Sequence, residues 1–196
     1  MKFARAWRLL AASPAEWVCI RDEAPSWRDS LLAYALPLAA LGPVSHVAGL
    51  WLRNPGVRES PPGLLLVGAV ALVAAGLLSS LAFALLIALC VQVLAPVFRG
   101  RRGWPEAWRV GVYALTPVWL AAAALFWPLR EQPGLAVLML AATAHAFYLV
   151  NQGAHALMGV PEDEAAIFAA FVFGASVAGA IATGFVAGAL GLLPQV

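Results

Sequence analysis

The placement of charge constrains this chain more than any other feature. Five uncharged runs, 30–52, 60–98, 110–129, 132–161 and 165–196, take up 144 of its 196 residues. Each exceeds the roughly 18 apolar residues that mark a membrane-crossing helix. Charged residues make up 11% of the chain, under half of the roughly 25% found in a soluble domain. That is too little to coat a water-facing surface. The sequence reads as an all-α, polytopic integral membrane protein. A soluble enzyme, a disordered chain, a disulfide scaffold and a nucleic-acid binder are excluded.

The second run raises a question of count. Gly63 to Ala95 is 33 residues without proline or charge, about 50 Å as one helix against a hydrocarbon core of about 30 Å. Splitting it near Gly76–Ser80 gives six spans, and leaving it whole gives five. Charge decides. With five spans and the N-terminus inside, inner segments carry nine basic residues and outer segments carry three, Arg53, Arg58 and Arg130. Six spans would put Arg99, Arg101, Arg102 and Arg109 outside, against the positive-inside rule. The expected spans are therefore 30–52, 63–96, 110–128, 133–158 and 164–192, forming a transmembrane domain over 30–196. The N-terminus is expected to face the cytoplasm and the C-terminus the outside. Trp51, Trp104, Trp108 and Trp127 fall near span ends, as an aromatic belt requires.

Residues 1–29 form a polar, Trp-rich lead with short helices. Phe3, Trp7 and Leu10 share a narrow arc, with Lys2, Arg5 and Arg8 around the rest. Such a segment lies in the headgroup layer of an anionic leaflet or docks on its own bundle, and both readings stay open. No cleaved targeting segment is read here. Ser13-Pro-Ala-Glu16 has the form of a capping box, Pro25 ends that helix, and Ser26 to Asp29 repeats the cap before span one.

Two spans carry small residues at four-residue spacing: Gly76, Ser80, Ala84 and Ala88, and Ser176, Ala180, Gly184 and Gly188. These are helix-packing faces, with a homo-oligomer seam as the alternative. Span four carries the polar residues. His145, Tyr148, Asn151, Gln152 and His155 fall within about a third of the circumference, and exposure to lipid would be costly, so the face should point into the bundle or a cavity. It is either interhelical hydrogen-bond glue or a pathway for a solute, lipid or ion. No metal is expected, because His145 and His155 stand about 15 Å apart along the helix and Cys19 and Cys90 lie in different segments. No catalytic grouping and no cofactor motif is present, and no carboxylate lies within a span. The loop before span five, Val160-Pro-Glu-Asp-Glu164, puts three carboxylates at a helix N-terminus, where they complement the helix dipole or, with the nearby arginines, offer a docking surface.

Several short motifs resemble the Yip domain family, five-span membrane proteins whose eukaryotic members interact with Ypt/Rab GTPases. They are Ser13-Pro-Ala-Glu-Trp17 with Ile20 and Glu23, Tyr34-Ala-Leu-Pro37, Tyr113-Ala-Leu-Thr-Pro117, and Leu149-Val-Asn-Gln-Gly153 through Leu157-Met-Gly-Val-Pro161. The lead is similar to that of the bacterial branch. The chain lacks the Asp-Leu-Tyr-Gly-Pro element of eukaryotic members, and carries Glu164 where many bacterial relatives have a basic residue. The resemblance implies a non-enzymatic inner-membrane protein that organises membranes or binds a cytoplasmic protein, with lipids as its other partners. The alternative is a small permease or channel-like protein using the polar face of span four.

Overall fold

The computed structural model describes residues 2–126 and 133–189, and among these it is helical without strands. Helix α1 (Lys2–Ala11) and α2 (Ser13–Glu23) form the lead. They are followed by α3 (Trp27–Arg53) and α4 (Pro62–Phe98). Next come α5 (Trp104–Ala114), α6 (Thr116–Ala122), α7 (Gly134–Met158) and α8 (Glu162–Ala189). Helices α3, α4, α7 and Glu162–Ala182 of α8 are long and apolar enough to cross a membrane. Helix α4 is unbroken α-helix from Pro62 to Leu94, 33 residues, so the long run does not split.

The third expected span, 110–128, is instead a broken one. It starts earlier, at Trp104, turns at Leu115, and ends in a 3-10 turn at Ala123–Phe126. Its last residues lie outside the described ones. Pro117 is the cause, because it lacks an N–H and its ring crowds the carbonyl four residues back. That carbonyl belongs to Tyr113, and it accepts a hydrogen bond from Thr116 Oγ1 at 2.6 Å instead. In α3, Pro37 follows a widened π turn at Leu31–Ala35, which absorbs the same conflict.

One capping reading fails and the other holds. Helix α2 begins at Ser13 itself with Ala12 as N-cap and no side-chain cap. Ser13 Oγ is buried without a partner. Glu16 is drawn off by two arginines, whose charge-assisted bonds outcompete a neutral cap. Before α3, Ser26 Oγ accepts from the Asp29 backbone N–H at 3.1 Å and lies 2.6 Å from its carboxylate.

Helix α4 packs through its small-residue face. A Cβ on Gly76 would sit 2.7 Å from Pro43 Cγ of α3. Ser80 Oγ accepts from Trp119 Nε1 at 2.7 Å. Ala84 and Ala88 are buried, and there α5 answers with Gly111, whose Cβ would lie 2.5 Å from the Ala84 carbonyl oxygen. Small residues permit this approach where lipid supplies no hydrophobic drive. In α8 the seam runs through Ala165, Phe168, Ala169, Val172 and Ser176, all buried, and on to Gly179, which faces Leu86. Ala180 is exposed. The surroundings of Gly184 and Gly188 lie outside the described residues.

Candidate functional site

The four motifs are far apart in sequence and meet at one end of the bundle. Tyr113 of α5 is the centre. The Tyr34 ring of α3 lies 4.6 Å from it, and Trp17 of α2 meets it edge-on at 6.3 Å. Tyr34 Oη and Thr116 Oγ1 are 2.7 Å apart, so Thr116 joins the node while also capping the carbonyl that Pro117 frees. Gly153 of α7 makes room for the lead, since a Cβ there would stand 2.9 Å from the Trp17 ring. Trp17, Tyr34 and Tyr113 are almost fully buried.

Ion pairs bind the two lead helices to each other beside this node. Glu16 accepts from Arg5 Nε at 2.8 Å and from Arg8 Nε at 2.5 Å, with its side chain 2% exposed. Arg5 also donates to Glu23 and lies over the Tyr113 ring at 5.8 Å, a cation–π contact. Burial by itself would raise the Glu16 carboxyl, but the hydrogen bonds from Arg8 and Arg5 outweigh it and hold the group below the ordinary carboxylate range. The two pairings of Arg5 and Arg8 were not legible beforehand, because the break at Ala12 disrupts any helical spacing between them and Glu16. Thr116 carried a signal in its place directly before Pro117.

The lead therefore docks on its own bundle, with Ala6 and Leu9 buried. Trp7 is 70% exposed and Leu10 half-buried, while the side chains of Lys2 and Phe3 lie outside the described ones. A second set of ion pairs closes the same end. Arg99, after α4, reaches Asp163 at 3.2 Å and Glu164 at 2.7 Å, so two of the three acids that open α8 also tie down the loop after α4. Arg101 N–H donates to the Met158 carbonyl at 2.7 Å. Trp108 is buried against the bundle and Trp104 is exposed at its edge, so Trp108 is core and not belt.

The polar residues of α7 do share a face, but that face points outward. Tyr148 and His155 are exposed, and His145, Asn151 and Gln152 are half-exposed. Ala142, Ala146, Leu149, Val150, Ala154 and Leu157 occupy the inner face. This corrects the inward orientation expected from the cost of polar groups in lipid. Small apolar side chains let α7 approach α5, α6 and α8, and that packing fixes the rotation of the helix. The His145 ring meets that of Tyr148 at 5.7 Å in a tilted contact, and its Nε2 is buried without a partner. His155 Nδ1 lies 2.9 Å from the Val160 carbonyl. The stripe lines none of the cavities described below, and no cluster of metal-ligating residues occurs among the described residues.

A charge-poor helical bundle capped at one end by a docked, ion-paired lead defines an all-α polytopic membrane protein. A family model of the Yip1 domain matches residues 7–183, a span that includes all four motifs. The chain belongs to the Yip1 domain family. No curated protein and no solved structure matches it.

Proposed function

We propose that this protein is a non-enzymatic membrane organiser that offers a partner-binding platform on the cytoplasmic side of the inner membrane. The observation that supports this is where the family motifs converge. Glu16, Trp17, Tyr34, Tyr113 and Gly153 are spent on seating α1 and α2 across one end of the bundle. That leaves an outer surface with Trp7, Val18 and Cys19 exposed. The nine-to-three distribution of basic residues supports a cytoplasmic position for this end. Trp7 and Leu10 then lie at the membrane surface, and residues 1–29 act as one unit with the five-span domain.

Topology is the first test. Tags at residue 1 and within 99–104 should report the cytoplasm and a C-terminal tag the outside. A cytoplasmic C-terminus overturns the orientation and the five-span count together. A photo-crosslinker at position 18 tests the platform. It should capture one defined cytoplasmic protein, and lose it when Glu16→Ala releases the lead. Crosslinks to lipid alone would sink the platform. Solute flux in proteoliposomes, abolished by Asn151→Leu, would transfer the assignment to a permease.

A further inference from the structure

Two kinds of hollow mark the molecule. A cleft of about 620 Å³ lined by Pro43, Phe83 and Trp119, and one of about 640 Å³ lined by Val47, Leu65 and Val73, are apolar and suit acyl chains. The third is different. It measures about 330 Å³ and is lined by Arg21, Arg101, Arg102 and Arg109, with Glu106 as its one carboxylate and Leu157 and Met158 as its apolar wall. The arginines come from three places in the chain: the end of α2, the loop after α4 and the first turns of α5.

Their partners do not balance them. Arg109 is buried, donates to the Pro25 carbonyl at 3.0 Å and lies 3.6 Å from Glu106. Arg21 has the neighbouring Asp22 at 3.2 Å. Arg101 and Arg102 have no carboxylate in salt-bridge reach among the described residues. Arg5, Arg8 and Arg99 at the same end all do. Arg21, Arg101 and Arg102 are exposed, so solvent screens part of the repulsion among the four guanidinium groups, and an anion seated between them would relieve the rest. The depth is also informative. Gly103 is in the wall, and the next residue, Trp104, is 41% exposed, as for a side chain at the headgroup level.

We propose that this hollow binds a phosphate group, and that the phosphate is the headgroup of an anionic phospholipid. Arginine forks match phosphate oxygens in pairs, and basic pockets at the cytoplasmic ends of spans take such headgroups. Leu157 and Met158 would face the glycerol and upper acyl carbons. The ligand would neutralise Arg101 and Arg102 and tie α2 to the loop after α4, a link that no ion pair of the protein supplies among the described residues.

Native mass spectrometry of the full chain, released from nanodiscs of equal phosphatidylglycerol and phosphatidylcholine, tests this. Wild type should retain phosphatidylglycerol preferentially. Each arginine near an anionic surface accounts for about a 5-fold factor, so R101Q/R102Q should cut that preference about 25-fold. R58Q, outside the hollow, should leave it unchanged. R21Q, on another element, should cut it about 5-fold and guards against misfolding of the double variant. Equal retention of the two lipids, or a preference that survives both R101Q/R102Q and R21Q, overturns the site. Loss of retained lipid on adding excess inorganic phosphate, with phosphate itself stabilising wild type but not R21Q, overturns the lipid as the source while keeping the phosphate chemistry.

Discussion

The two ends of the bundle are built from similar apolar helices and hold together by different means. At the end carrying the lead, Trp17, Tyr34, Tyr113, Ile87, Val91, Leu149 and Phe168 are almost wholly buried, and ion pairs close the surface. Toward the other end, α4 exposes Leu64, Leu66, Val67, Val70 and Leu78, and two apolar clefts open between α3 and its neighbours. The first end is tied together by buried aromatics and ion pairs, although Val93, Val97, Ile167 and Phe171 stay exposed on its outer faces. The second is left for lipid tails, which solvate apolar side chains as well as another leucine would. Hydrophobicity therefore does not tell the two ends apart, whereas side-chain size and polarity do.

The comparison can be broken at matched positions. Trp17→Ala should cost about 3–5 kcal/mol, the range for emptying a buried aromatic site, whereas Trp51→Ala, at a half-exposed residue of the other end, should stay within about 0.5 kcal/mol. Thermal unfolding in detergent reads both, and equal shifts would erase the distinction. Gly111→Leu should follow at about 3 kcal/mol, because its Cβ meets the Ala84 carbonyl at 2.5 Å and backbone cannot step aside. Gly68→Leu, with nothing within 4 Å, should be neutral or gain up to about 1 kcal/mol of helix propensity.

Acid should act on one end only. The folded state holds the Glu16 carboxyl below its ordinary range, so its contribution is complete above that range and is lost as pH falls through the depressed value. Amide protection in α1 and α2, taken relative to intrinsic exchange at each pH, should fall on acidification while that of the Pro62–Gly76 part of α4 stays unchanged. A uniform loss of protection would make the lead an ordinary part of the bundle. The smallest effect should come from Asn151→Leu and Gln152→Leu. Neither side chain makes a hydrogen bond among the described residues, so each change should stay within about 0.5 kcal/mol. A loss of 1 kcal/mol or more, at the upper part of the range for interhelical membrane hydrogen bonds, would mean that a second copy covers the stripe.

Much of the fold was legible in the runs without charge, each of which, the third excepted, overlaps a helix long and apolar enough to cross a membrane. The face of α4 was legible too, since Gly76, Ser80, Ala84 and Ala88 have few other uses at that spacing. What the sequence withheld was direction. Periodicity says that His145 and Gln152 share a side of α7, but which side turns inward depends on how closely the neighbours come. Ser13-Pro-Ala-Glu16 had the letters of a cap, yet the fate of Glu16 was set by Arg5 and Arg8 across a helix break. The node at Tyr113 was visible only as separate short motifs. Their meeting is a property of the folded bundle.

The seat of the lead also sets an order of events during synthesis. Helix α1 and α2 leave the ribosome first, but Gly153, which receives the Trp17 ring, follows about 140 residues later. At about 5–20 residues per second that is a wait of roughly 7–30 s. Until then the basic, Trp-bearing helix has no bundle to join, and an anionic leaflet is the surface that suits it. Lying on the bilayer and docking on the protein would then be successive stages in the life of one segment. Only the insertion of α7 would lift the lead from the first to the second.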